Sequence, residues 1–166
     1  MGMPISELKN CTQIQIGKWR CDVPRPHSAF DTYIVQGHPS TGVCWVKGMT
    51  PSIDTNSFGS QLRSKVDEIA AQLNEVYGKG NDRSFLMSGS IWTESEDWMM
   101  SLLKEERYYS REWPAAAGTP LPNHLKTIYL FAKATQSSKG YVGLEYAFEN
   151  EGECEKAIKA EEKGAL

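Results

Sequence analysis

No stretch of this chain is apolar for long enough to cross a bilayer as a helix, which takes roughly 20 residues. The opening, MGMPISELKN, has no basic segment followed by an apolar run, so no secretory leader is expected there. Its Met-Gly start matches an acylation signal only in part. These lacks set the expectation of a cytoplasmic protein that does not engage a membrane. A basic excess is missing too. The net charge is −3, and Lys18, Arg20 and Arg25 in the first third are too sparse to make nucleic acid an expected partner. No repeat, low-complexity tract or long linker divides the 166 residues, so a single domain over 1–166 is expected.

Catalytic signatures are also absent. No serine sits in a G-x-S-x-G turn. The three histidines, His27, His38 and His124, fall in loops beside proline or asparagine, and a pair such as Cys44 with His38 would need a spatial approach that nothing in the sequence suggests. The glycine-rich runs GKGND and SKGYVG lie in the wrong order relative to strand and helix to cradle a phosphate. Carboxylates are plentiful around residues 94–106, but no histidine follows them at ligand spacing, so no metal site is assigned. No cofactor is expected. Cys11, Cys21, Cys44 and Cys154 form no C-x-x-C pair. Three of them sit in strand-like apolar settings, where a reduced cysteine behaves as a small hydrophobe. Buried thiols are the expectation, and disulfides the alternative.

The chain does carry clear periodicities. Residues 12–22 alternate and read as a strand bulged at Gly17. Residues 30–36 and 43–47 read as two more strands, giving an N-terminal meander. Over 56–77, Phe58, Leu62, Val66, Ile69, Leu73 and Val76 recur at steps of three and four, which predicts a helix capped by Asn56 or Ser57 and closed by Gly78. Residues 84–88 read as a short strand. Residues 125–135 and 141–148 read as a C-terminal hairpin, and 151–163 as a short final helix capped by Asn150. The fold class is therefore α+β: an antiparallel sheet packed against two main helices, with a short C-terminal helix.

The second main helix lies in residues 91–113, which hold three of the five tryptophans. Thr93 and Glu96 fit a capping box, and Glu94 and Asp97 suit the positive end of a helix dipole. Trp98, Met99, Leu102 and Leu103 make its buried stripe. Whether 107–113 continues the helix or forms a strand is open. Trp92, Tyr108 and Trp113 have no place in that stripe. With Glu94 and Asp97 they form a candidate aromatic and acidic patch for a protein partner or a second copy of the chain. An alternative is a small-molecule pocket between the sheet and helix 56–77, reached by His124 or Glu145. Glu145 sits mid-strand: facing inward it needs a partner, facing outward it is an ordinary solvent-side residue.

The order WTESEDWMMSLLKEERYYSREW, then a strand, a hairpin and GLEYAFEN resembles small bacterial accessory proteins of unassigned role, among them toxin-immunity proteins and orphan proteins of mobile gene cassettes. The resemblance spans about half the chain, in layout and aromatic placement. It implies a binding protein rather than an enzyme, and it transfers no residue roles.

Overall fold

The computed structural model describes residues 2–116 and 120–164. In chain order the elements are β1 (Lys9–Gln15), β2 (Lys18–Asp22), β3 (Thr32–His38), β4 (Gly42–Met49), β5 (Ile53–Asp54), α1 (Ser60–Tyr77), β6 (Asn81–Asp82) and β7 (Phe85–Leu86). Then come α2 (Trp98–Leu103), β8 (Arg107–Tyr108), β9 (Ser110–Pro114), β10 (Leu125–Gln136), β11 (Lys139–Phe148) and α3 (Glu151–Gly164). The fold is α+β, with a large antiparallel sheet, a two-stranded sheet of β7 and β8, and three helices. Among the described residues, no helix is long and apolar enough to cross a membrane. The chain divides into two compact units.

The first unit takes residues up to Gly48, Pro114–Ile128, and Glu145 onward. Its strands run in the order β1-β2-β3-β4, then the end of β11 and the start of β10. Residues 12–22 are not one bulged strand. Gln15 pairs with Lys18, and Gly17 at φ +73° turns the chain back on itself. Glycine reaches that left-handed conformation without a Cβ clash, so the apparent slip in phase is a hairpin turn.

All four cysteines are bonded, which corrects the expectation of thiols. Cys11 bonds Cys21 across the hairpin, and Cys44 on β4 bonds Cys154 on α3. The physical reason is spatial. Their Cα atoms come within 4.2 and 6.3 Å, although the partners are 10 and 110 residues apart in sequence. Val43 and Cys44 point to opposite faces of β4, as strand geometry demands. One face gathers Cys21, Val35 and Val43 under Trp19, Val46 and Phe148. The other gathers Cys44, Cys154 and Ile158 with Ile16. The expected side-chain cap at Asn150 is not made. Its amide Nδ2 donates to the Thr41 and Val43 carbonyls at 3.0 and 3.2 Å, while its Oδ1 is buried without a partner.

The second unit takes Met49–Trp113 and Tyr129–Leu144. Its α1 buries Leu62, Val66, Ile69, Ala70 and Leu73, the stripe that the 3.6-residue period predicts. Phe58 and Val76, expected at the ends of that stripe, are exposed: Phe58 precedes the helix, which begins at Ser60, and Val76 lies in its last turn, beyond the last buried residue, Leu73. Asn56 still accepts the Ser60 N–H at 3.1 Å, but from outside the helix, and Gly59 occupies the cap at φ +66°. Gly59 is required there, since a Cβ would lie 2.1 Å from the Trp98 ring. The capping box at Thr93 and Glu96 is not formed either. A 3-10 turn at Ser95–Asp97 leads into α2, which is only six residues long, and no side chain caps it. Residues 107–113 resolve into β8 and β9 rather than a helix. Within this unit β10 buries Leu130, Ala132 and Ala134 in strict alternation.

Candidate functional site

Of the residues expected in the patch, Tyr108 lies on β8, which pairs with β7 in the second unit. Phe85 pairs with Tyr108 and Leu86 with Arg107 in antiparallel register. The Phe85 and Tyr108 rings stack at 4.7 Å with 16° between their planes. A cross-strand aromatic pair contributes on the order of 0.2–1 kcal/mol, which fixes the rings relative to each other without burying them. They remain 54% and 40% exposed, and nearby Met87 and Ile91 are 47% and 78% exposed. The loop from β7 is held by the Met87 N–H on the Glu106 carbonyl at 2.7 Å and by a turn from Ser90 to Met87. Gly89 supplies the positive φ, at +85°.

Tyr108 is therefore on the surface, as expected of a binding residue. Trp92 is half-buried. Trp113 is 3% exposed and leaves the patch. Its indole N–H donates to the Gly78 carbonyl at 2.8 Å, and Gly80 lies directly against the ring. A buried tryptophan needs a partner for its one polar group, and the end of α1 provides it. Glu94 is exposed and Asp97 half-buried. Neither makes an ion pair among the described residues, nor does Glu96, so this loop presents uncompensated negative charge. Phe85, Met87 and Ile91 were not among the residues singled out from sequence. The run SFLMS has the composition of a buried strand, and nothing in it shows that its neighbours leave it uncovered.

His124 and Glu145, the residues of the pocket alternative, belong to the first unit. His124 is exposed at φ +59° and pairs with Glu149 at 3.0 Å. Glu145 is half-buried and meets Lys47 at 3.2 Å, so it is neither an isolated buried carboxylate nor a fully solvated one. No group of three or more His, Cys, Asp or Glu side chains among the described residues is placed to hold a metal ion.

Sequence reading missed a polar network in the same unit. Arg111 donates to Asp82 at 3.0 Å, to the Ser84 hydroxyl at 2.9 Å and to Asp67 at 3.4 Å. The Tyr109 hydroxyl donates to Asp67 at 2.9 Å. Burial first, then the Asp67 hydrogen bond and charge, push the Tyr109 phenol above its ordinary pKa. Tyr109 therefore stays a neutral donor across the physiological range. Hydrogen bonding from Ser84 and the Arg111 charge hold Asp82 below its ordinary value. The network ties α1, β6 and β9 together. Comparison with known proteins adds no precedent: no family model, curated protein or solved structure matches the chain.

Proposed function

We propose that this chain is a non-enzymatic interaction protein whose docking surface is the Phe85, Met87, Ile91 and Tyr108 patch together with the acidic loop of Glu94, Glu96 and Asp97. The observation that carries the reading is the solvent-facing Phe85–Tyr108 stack. Three of the eight large exposed hydrophobic residues among those described fall in residues 85–91, and a fourth, Tyr108, stacks on Phe85; exposed apolar side chains so clustered mark interaction sites. Glu94 follows Ile91 by three residues, so the carboxylates begin within about 11 Å of the apolar group. A surface of this composition fits a partner that presents apolar side chains flanked by Lys or Arg. The apolar contacts supply affinity, and the charges supply orientation and on-rate. The likeness in layout to immunity and cassette proteins agrees with a binding role.

Fluorescence anisotropy with a panel of amphipathic helical peptides tests this. Peptides with Lys/Arg flanks are expected to bind, with affinity falling as salt rises. Peptides with Asp/Glu flanks are expected not to bind. A Phe85→Ser/Tyr108→Ser variant should lose the binding while keeping its thermal stability, because neither ring is buried. Equal binding of basic and acidic peptides, or full binding by the variant, sinks the reading. A concentration-dependent dimer that the same variant abolishes would replace the foreign partner with a second copy of the chain.

A further inference from the structure

In the first unit a cleft of about 170 Å³ opens between α3, the β1–β2 turn and β3. Its apolar lining is Ile16 and Ile158, which belong to the cluster around the Cys44–Cys154 bond. Ile158 lies directly against Gly17 in the turn. The Gly37 N–H on β3 donates to the Gly17 carbonyl at 3.0 Å, and the disulfide fixes α3 to β4. Bonds within the unit therefore set the walls of the cleft, and a ligand does not have to order them.

Two cations and two carboxylates line the same cleft: Lys18, Lys159, Glu155 and Glu162. On α3, Glu155 precedes Lys159 by four residues and Glu162 follows it by three, so the three share one face of the helix. Glutamate four residues before lysine is the favoured order for a helical ion pair. Yet none of the four charged groups forms an ion pair among the described residues. Glu161, the chain neighbour of Glu162, does find a partner, meeting His38 at 3.5 Å. The Lys18 ammonium lies 5.7 Å from the centroid of the Trp45 ring, a cation–π contact that leaves its charge without a counter-ion. Unpaired charges of both signs beside an apolar floor suit a ligand that carries both signs and an apolar body. A ligand of one sign would meet one pair of like charges. A cavity of about 150 Å³ holds one benzene molecule, so this cleft takes a single small molecule rather than a length of chain.

We propose that the cleft binds a free aliphatic amino acid, with Lys18 and Lys159 for its carboxylate, Glu155 and Glu162 for its ammonium, and Ile16 and Ile158 for its side chain. The site lies in the first unit, and it does not depend on the docking reading of the second.

Titration of the full, oxidised chain with L-leucine, followed by two-dimensional NMR of the backbone amides, tests it. Saturable shifts are expected at Ile16, Lys18, Gln36, Ile158 and Lys159, which line the cleft, with a Kd on the order of 1 mM. N-acetyl-leucine lacks the ammonium and leucinamide the carboxylate, and each should bind at least about tenfold more weakly. Glycine keeps both charges without the apolar body and should also bind more weakly. Lys159→Gln/Glu162→Gln alters two exposed side chains, so it should fold as the wild type does yet lose the leucine-dependent shifts. Glu161→Gln, outside the cleft, should keep them, and so should Phe85→Ser/Tyr108→Ser, which separates this site from the docking patch. No saturable shift, equal binding of the N-acetyl or amide analogue, or unchanged binding by Lys159→Gln/Glu162→Gln overturns the proposal.

Discussion

The two units are held together by different means. In the second, α1 buries five apolar side chains and the unit contains no cysteine. In the first, α3 buries only Cys154 and Ile158, β1 is exposed along its whole length, and both disulfides are present. Burying a leucine or isoleucine contributes roughly 1.5–3 kcal/mol, so α1 has ample reason to stay docked. A helix with one isoleucine and one cysteine on its inner face does not. Each disulfide stands where apolar area is scarcest: one ties the exposed strand to its neighbour, the other ties the thin helix to β4. Cross-links and core area act here as substitutes.

The most severe way to break this comparison is to remove the long-range bond. In the chain-entropy model a link closing 110 residues stabilises by about 5 kcal/mol, and one closing 10 residues by about 3. The Cys44→Ser/Cys154→Ser variant is therefore expected to lose hydrogen-exchange protection in α3 while α1 keeps most of its own. Equal loss in both helices would show that the two units do not differ in this way. A smaller effect is expected from Leu62→Ala, which empties a fully buried site on α1. It should cost about 3 kcal/mol in denaturant unfolding, and here the protection of α1 should fall further than that of α3. The smallest effect concerns acid. The Asp82 pKa lies below its ordinary 3.8 in the folded chain, so its contribution is present above that value and is lost as pH falls through the lower folded one. Asp82→Asn should flatten the acid limb of the stability curve slightly below about pH 4, since the carboxylate is exposed and screened. An unchanged acid limb would mean that Arg111 is held well enough by Asp67 alone.

What the sequence disclosed follows from what periodicity encodes. The α1 stripe was legible because Leu62, Val66, Ile69 and Leu73 repeat at the helical period over about three turns. The C-terminal hairpin was legible because β10 and β11 are long and QSSKG marks the turn between them. The reversal at Ile16-Gly17 was not, because a glycine at a slip in apolar phase suits a bulge as well as a tight turn. The fate of Trp113 was hidden for a different reason. β9 buries Ser110 and Trp113, three positions apart, so the strand period is broken, and the indole's partner Gly78 lies 35 residues away. The cysteine pairings are likewise facts of tertiary proximity, which local spacing does not record. The exposed patch shares that limit: Phe85 and Tyr108 look like core residues until the absence of anything above them is seen.

The bond between Cys44 and Cys154 also makes the shape of the first unit depend on its surroundings. Two electrons and two protons from a dithiol convert it to a pair of thiols and leave α3 held by Ile158, Asn150 and a few surface ion pairs. Oxidising surroundings preserve such a bond, and a reducing milieu opens it. Reduction is therefore expected to loosen the last helix and to leave the apolar core around α1, which lies in a unit without cysteine, unchanged.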